Sequence, residues 1–193
     1  MTSVGVLALQ GAFQLHIQAL ESLGVNAPAI RLPDELEGVD ALVLPGGEST
    51  AMSLLLGANR MTEPLRELIA SGIPIFGTCA GMILLAEKVL DGRSDQVQLA
   101  TMPITVRRNG YGRQLASFEA DLAVPSLGIH ADQPFRSVFI RAPRVEAVGD
   151  GVEVLAEVDG DPVLVRSGSL MAAAFHPELT PDMRLHEAFL SEL

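Results

Sequence analysis

The chain has 193 residues, 48% of them hydrophobic and 19% charged, a composition that suits a folded globular chain and argues against disorder. Lys and Arg total 13 against 24 Asp and Glu, a formal net charge of −11; so acidic a body repels phosphate backbones and anionic lipid, and with no Trp to stack bases the expected partners include neither nucleic acid nor membrane. One cysteine rules out a disulfide framework and a cysteine-rich zinc site. No apolar run reaches the ~20 residues of a membrane span, and the first residues lack a signal peptide's basic region, so a cytoplasmic location is expected.

Residues 4–9 form a continuous apolar run, the pattern of a strand covered on both faces in a parallel sheet. Gln10-Gly11 breaks it. Phe13, Ile17, Leu20 and Leu23 then recur at helical spacing up to Gly24, a helix stop. A weaker strand is expected over 25–32 and a third over 40–44, ended by Pro45-Gly46-Gly47. Ser49 stands where it caps a helix through Met52 and Leu56, and Thr62 where it caps another with Leu65, Leu68 and Ile69 on one face. Residues 74–77 read as a short buried strand and 80–89 as a helix stopped by Asp91-Gly92. Such alternation implies a parallel sheet with right-handed crossovers. From Met102 the texture changes to short strands over 104–106, 135–140, 152–158 and 163–165, some divided by turns such as Asp159-Gly160. An apolar strand over 171–175 and an amphipathic helix over 181–193 close the chain. With no repeat and no linker, residues 1–193 are expected to form one α/β domain: a mostly parallel central sheet flanked by helices, with an added antiparallel or mixed strand layer.

Three segments carry chemistry. Gly77-Thr78-Cys79-Ala80-Gly81 lies between a strand and a helix and has the form of a nucleophile elbow, the tight strand-to-helix turn best known as G-x-S-x-G. The helix N-terminus favours an anion there by about 0.3–1 kcal/mol, too little alone to activate the sulfur. A partner base is needed; without one Cys79 is a small buried hydrophobe. Of the four histidines, His176 in His176-Pro177-Glu178 follows an apolar strand. On an extended backbone held by Pro177, residues 176 and 178 point to the same side, so the carboxylate can orient the imidazole as a triad's third member does. His16, His130 and His186 read as surface or packing residues. Pro45-Gly46-Gly47-Glu48-Ser49-Thr50 leaves a strand and opens a helix; it lacks the Gly-Lys-Ser/Thr of a phosphate loop, and its backbone N–H groups suit an oxyanion hole as readily as a plain turn. Together these make a Cys-His-Glu site for acyl transfer through a thioester, with no metal.

Residues 41–50, Gly77-Thr78-Cys79-Ala80-Gly81-Met82 and Phe175-His176-Pro177-Glu178-Leu179 together resemble the class I, or triad, glutamine amidotransferases. More narrowly, P-G-G-E-S-T, residues 7–13, Arg108-Asn109-Gly110-Tyr111-Gly112-Arg113-Gln114, Ser117-Phe118-Glu119 and residues 139–143 resemble the glutaminase subunits of pyridoxal 5′-phosphate synthase. The likeness spans the chain; only 125–133 looks longer than that pattern. The resemblance implies a flavodoxin-like fold and hydrolysis of L-glutamine to glutamate and ammonia. Cys79 would be the nucleophile, His176 the base and Glu178 its orienting acid, with Gly47 and Ala80 N–H groups at the oxyanion. Gly47, Glu48, Ser49, Arg108, Ile140 and Arg141 would bind glutamine, and an arginine there matches a free amino-acid carboxylate. Charge alone does not separate Arg107 from Arg108; only the motif selects Arg108. It further implies no cofactor in this chain and a partner synthase subunit in a large hetero-oligomer, which takes the ammonia and makes pyridoxal phosphate. Rival readings are a glutaminase serving another synthase, a cysteine peptidase of related fold, and a non-enzymatic binding module.

Overall fold

The computed structural model describes residues 2–93, 95–111 and 117–193. The end of the R-N-G-Y-G-R-Q run lies outside the described residues.

Among the described residues the central sheet has seven strands. β1 (Val4–Leu7) pairs in parallel with β2 (Ala29–Ile30) on one side and β3 (Ala41–Leu44) on the other. β3 continues in parallel to β4 (Ile75–Thr78), and β4 to β12 (Leu170–Ala173). β11 (Asp161–Ser167) and β10 (Glu153–Val158) extend that edge as antiparallel strands, giving the order β10-β11-β12-β4-β3-β1-β2. All four residues of β1, β3, β4 and β12 are buried, as expected of strands covered on both faces. The helices are α1 (Phe13–Ser22), α2 (Ser49–Ala58), α3 (Thr62–Ala70), α4 (Ala80–Leu85) and α5 (Arg184–Leu190). None among the described residues is long and apolar enough to cross a membrane. Two small sheets form the added layer. In one, β6 (Met102–Arg107) lies between β5 (Ala86–Val89) and β9 (Arg144–Val148); in the other, β7 (Ser117–Leu122) pairs antiparallel with β8 (Phe135–Ile140). A contiguous apolar core runs from Val4 through Phe76 and Phe139 to Phe189.

Several local expectations are corrected. The helix expected over 80–89 ends at Leu85; Ala86 turns to φ −58°, ψ 136°, and the following residues pair with β6 instead, because the edge of the added layer offers a ladder that a helix there would forgo. Glu48, not Ser49, caps α2, its carboxylate accepting from the N–H groups of Thr50 and Ala51. Met61, not Thr62, precedes α3, without a side-chain cap. The second strand shrinks to two residues. β7 and β9 carried too few apolar residues to be read as strands; their outward positions are exposed. The stretch 125–133 opens with a 3-10 turn at Pro125–Leu127, closed by a bridge between Val124 and Ile129.

Candidate active site

The parallel order places the carboxyl ends of β1, β3, β4 and β12 side by side. β1 runs on to β2 on one flank while β3 lies on the other, and such a switch of direction leaves a crevice where open α/β sheets bind ligands. The pocket found there has a volume of about 230 Å³ and is lined by Gln10 after β1, Gly47, Glu48 and Ser49 after β3, Cys79 and Ile83 after β4, Arg108 and Asn109 after β6, Ile140 and Arg141 at β8, and His176 after β12. That is below the ~300–1,000 Å³ of pockets for drug-sized ligands and suits a small metabolite.

Cys79 has φ 49° and ψ −101°, a conformation that L-residues adopt only under constraint. Its N–H donates to Ala173 O at 2.8 Å and its carbonyl accepts from Ile83 N at 3.2 Å, so β12 and α4 hold the strained residue from both sides. The flanking glycines are there for contact. A Cβ on Gly81 would strike the Leu44 carbonyl, and one on Gly77 would stand 2.9 Å from the Gly81 carbonyl carbon. The sulfur lies 4.0 Å from Ile140 O. Ala80, the first residue of α4, is fully buried beneath it in sequence.

His176 and Glu178 are joined differently from the extended arrangement expected. Pro177–Leu179 is a 3-10 turn, and His176, at φ −110° and ψ 88°, leads into it. The turn brings Nδ1 to 2.7 Å from Glu178 Oε1, and the His176 N–H donates to Val138 O at 2.9 Å, which ties the segment to β8. Burial opposes a charge on His176, but the Cys79 sulfur and the Glu178 carboxylate outweigh it, and its pKa is pushed up to about 10. Burial likewise opposes ionisation of Glu178, but His16 and His176 bring it down to about 2. With Nδ1 committed to the carboxylate, Nε2 is the nitrogen left for the pocket.

Gly46 lies between the triad and the β1–α1 turn. A Cβ on it would touch His176 Cε1 and come within 3.3 Å of Cys79 Cβ. Its carbonyl accepts from Ala12 N at 3.0 Å, so the Gly47 N–H, opposed to that carbonyl in a trans peptide, points away from the turn. Gln10 Oε1 accepts from Glu48 N at 2.8 Å and fixes the next peptide. Burial works against the Glu48 charge, but the Thr50 and Ala51 N–H groups and Arg108 hold its carboxyl below the usual range.

Arg108 reaches the pocket with one Nη 3.1 Å from Glu48 Oε1 and the other 3.4 Å from Gln96 Oε1. Arg107 turns outward to Glu146 at 2.7 Å, so the two arginines that charge alone left equivalent face opposite ways. Arg141 sits at φ 45° and, among the described residues, has no carboxylate within salt-bridge distance.

The structure thus gathers Cys79, His176, Gly47, Glu48, Ser49, Arg108, Ile140 and Arg141 around one pocket, with Glu178 behind His176; Ala80, next to Cys79 in the chain, is fully buried and is not on the lining. Sequence reasoning gave no role to Gln10, Ile83 and Asn109 on the lining; Gln10 had a signal in its place after β1 and Asn109 in its place beside Arg108 in the same motif, whereas Ile83 had none. His130 is exposed, while His16 and His186 are fully buried, so they take the two halves of the surface-or-packing expectation. His16 Nε2 stands 3.2 Å from Glu178 Oε2, so one of them contacts the site.

Residues 6–193 match the SNO glutamine amidotransferase family. The chain is 55% identical over 188 residues to the pyridoxal 5′-phosphate synthase subunit PdxT of Corynebacterium jeikeium, covering 97% of this chain and 94% of that one. It is also 55% identical over 190 residues to the protein of the same description from Desulforudis audaxviator, with 98% of each covered. A solved structure described as a crystal structure of glutamine amidotransferase superposes with a TM-score of 0.90 at 46% identity over 97% of both chains. The chain belongs to the SNO glutamine amidotransferase family.

Proposed function

We propose that this chain is the glutaminase subunit of a pyridoxal 5′-phosphate synthase: it hydrolyses L-glutamine to L-glutamate and ammonia, and the ammonia passes to a synthase subunit. Family membership and the relatives' descriptions support the activity and the partner. The observation that carries the chemistry is Cys79, held in a strained turn on the same small pocket as an imidazole whose far nitrogen is locked to Glu178.

The family resemblance implies the residue roles, and the placement of these residues supports them. The Cys79 sulfur attacks the side-chain amide carbonyl of glutamine, with its proton on His176. The tetrahedral oxyanion is met by the N–H groups of Ala80 and Gly47; one such donor contributes about 2.7–4 kcal/mol to the barrier in acyl transfer. His176 delivers its proton to the nitrogen as the C–N bond breaks, and ammonia leaves. Water, deprotonated by His176, then attacks the thioester, and glutamate is released with the thiol restored. Glu178 keeps the imidazole in one tautomer and balances the imidazolium that forms. Arg108 and Arg141 supply guanidinium forks for the substrate carboxylate and Glu48 an acceptor for its ammonium, while Gly47, Ser49 and Ile140 line the remaining wall.

Ammonia released to water is protonated and lost as a nucleophile, which supports direct transfer inside a large hetero-oligomer in the cytoplasm. The chain acts as one domain over 1–193, a reading supported by its contiguous core. The chain's acidity argues against nucleic-acid or membrane partners. No cofactor is needed for this chemistry. The test is production of ammonia and glutamate from glutamine by wild type and Cys79→Ala, with and without the synthase subunit. Cys79→Ala abolishes turnover while still binding glutamine; turnover near wild type would mean that the nucleophile lies elsewhere.

A further inference from the structure

The carboxylate that orients His176 has a second histidine, His16, against its other oxygen, and His186 stands behind that one. His16, on α1, is fully buried, and its Nε2 lies 3.2 Å from both Glu178 Oε2 and Thr78 Oγ1. The N–H is aligned on the threonine hydroxyl, so Oε2 is met by a close polar hydrogen without an aligned hydrogen bond and has no other partner among the described residues. His16 Nδ1 is 3.0 Å from Nε2 of His186, on α5, which is also fully buried. In a neutral imidazole one nitrogen donates and the other accepts. Donation from His16 Nε2 therefore makes its Nδ1 the acceptor of the His186 Nε2 proton and leaves His186 Nδ1 bare. Among the described residues that nitrogen has no hydrogen-bond partner. Donors thus point in one direction, from His186 to His16 to the Glu178 and Thr78 oxygens, while His176 donates to the other carboxylate oxygen at 2.7 Å.

We propose that His16 is a positioning residue for the glutaminase reaction: with His186 fixing its ring, it holds the outer oxygen of Glu178 so that the carboxylate stays in the His176 plane and stays ionised as the imidazolium forms. This rests on the glutaminase reading above. Its physical basis is the cost of leaving a buried charged oxygen with no polar hydrogen nearby, a cost that falls on the same carboxylate that must balance a charge during turnover. The groups facing Glu178 are His16 from α1 and His176 from its own turn. His186 stands behind His16, and Cys79 stands beyond His176. β8 also packs on the turn, but its Arg136 points to Glu119 and Asp121 at the surface.

The experiment measures glutamine hydrolysis by the full chain with the synthase subunit present, across pH, for wild type, His16→Leu and His16→Gln. The Gln amide nitrogen takes the place of Nε2, so its donor survives. His16→Leu is expected to lower kcat about 10- to 100-fold, the range seen when the group behind a catalytic ligand is removed. KM for glutamine should move less than about threefold, because no substrate contact is lost. The acid limb of kcat/KM should move to higher pH, because Glu178 loses a neighbour that favours its charge. His16→Gln should return to within about threefold of wild type. If His16→Leu fails to fold, His16→Asn carries the same test: its nitrogen takes the Nδ1 place, out of reach of Glu178, and it must show the loss that Gln repairs. Unchanged kcat and pH profile in the Leu or Asn variant, or a Gln variant as impaired as either, overturns the proposal. Wild type without glutaminase activity overturns the underlying reading instead.

Discussion

His176 Nδ1 and Glu178 Oε1 stand 2.7 Å apart in a buried corner where Cys79 is the imidazole's other neighbour. The Cys79 sulfur and the Glu178 carboxylate outweigh burial and push the imidazole up to about 10, so each partner's share can be removed separately. In Cys79→Ala the sulfur's contribution vanishes while burial and Glu178 remain. An NMR titration of His176 should therefore give a lower pKa in Cys79→Ala than in wild type, and lower again when Glu178→Gln is added. An unchanged titration in Cys79→Ala would mean that sulfur and imidazole do not share a proton.

The ring of His176 also explains Gly46. A methyl at that position would touch Cε1, stand 2.8 Å from Nδ1 and press on Cys79 Cβ. The ring is held by Glu178 and the cysteine by its elbow, so neither can yield without losing alignment. Gly46→Ala should retain the fold by circular dichroism and lose about 100-fold or more in kcat, the scale set by displacing a catalytic group by an ångström. Wild-type turnover in this variant would show that the triad relaxes more freely than its contacts imply.

How far the sequence carried this reading depends on whether the signal was local. The elbow was legible because glycines two residues either side of a lone cysteine, between a strand and a helix, set a nucleophile turn beside the plain buried-cysteine reading; Gly77 and Gly81 do pack together. The pairing of Cys79 with His176 could only be inferred from chemistry, since what joins them is the parallel contact of β4 with β12, Thr78 opposite Ala173, between segments far apart in the chain. Pro177 signalled a restricted backbone but not which one: a 3-10 turn serves as well as an extended strand, because both bring residues 176 and 178 together. His16 was illegible. A histidine on an amphipathic helix reads as a surface or packing residue, and only tertiary packing shows that its face of α1 meets Glu178. The helix expected over 80–89 failed for the same reason. Local propensity could not foresee that residues 86–89 are taken by the edge of the added layer.

Arg108 and Arg107 are neighbours with opposite environments, one 3.1 Å from Glu48 in the pocket and the other on Glu146 at the surface. A charge-assisted hydrogen bond to a substrate carboxylate contributes about 1.5–3 kcal/mol, or roughly 10- to 150-fold in affinity. Arg108→Ala should raise KM for glutamine within that range and lower kcat less, whereas Arg107→Ala should change neither beyond about twofold. Equal effects from the two would remove Arg108 from the binding site.

Glu48 carries a second duty, and its loss should show in stability as well as binding. Its carboxylate caps α2 through Thr50 N at 3.0 Å and Ala51 N at 2.7 Å while facing Arg108. Glu48→Ala should lower stability by about 1 kcal/mol, the usual value of an N-cap, and raise KM. Glu48→Asp shortens the reach by one methylene. In denaturant unfolding and glutamine saturation it should recover part of the cap and little of the binding. A variant that loses binding with no change in unfolding would show that α2 is capped some other way.

His186 ties the buried network to the pH dependence of folding. Burial first, and then its neighbour His16, bring its pKa from the ordinary 6.5 down to about 4. Between those values the unfolded chain takes up a proton that the folded chain refuses, so stability falls as pH drops from about 6.5 to about 4. Glu178, depressed to about 2, contributes stability that is complete above its ordinary 4.5 and is lost below it. His176, raised to about 10, contributes stability that is complete below 6.5 and is lost as pH rises toward 10. The three groups together therefore favour the folded chain most near pH 6.5. His186→Gln keeps a donor toward His16 but cannot titrate. Urea unfolding at pH 4.5, 5.5 and 6.5 should show a steeper fall toward acid in wild type than in this variant, with the alkaline side unchanged. Parallel curves would mean that His186 is not the group whose protonation opposes folding there, and that another buried base sets the acid limit.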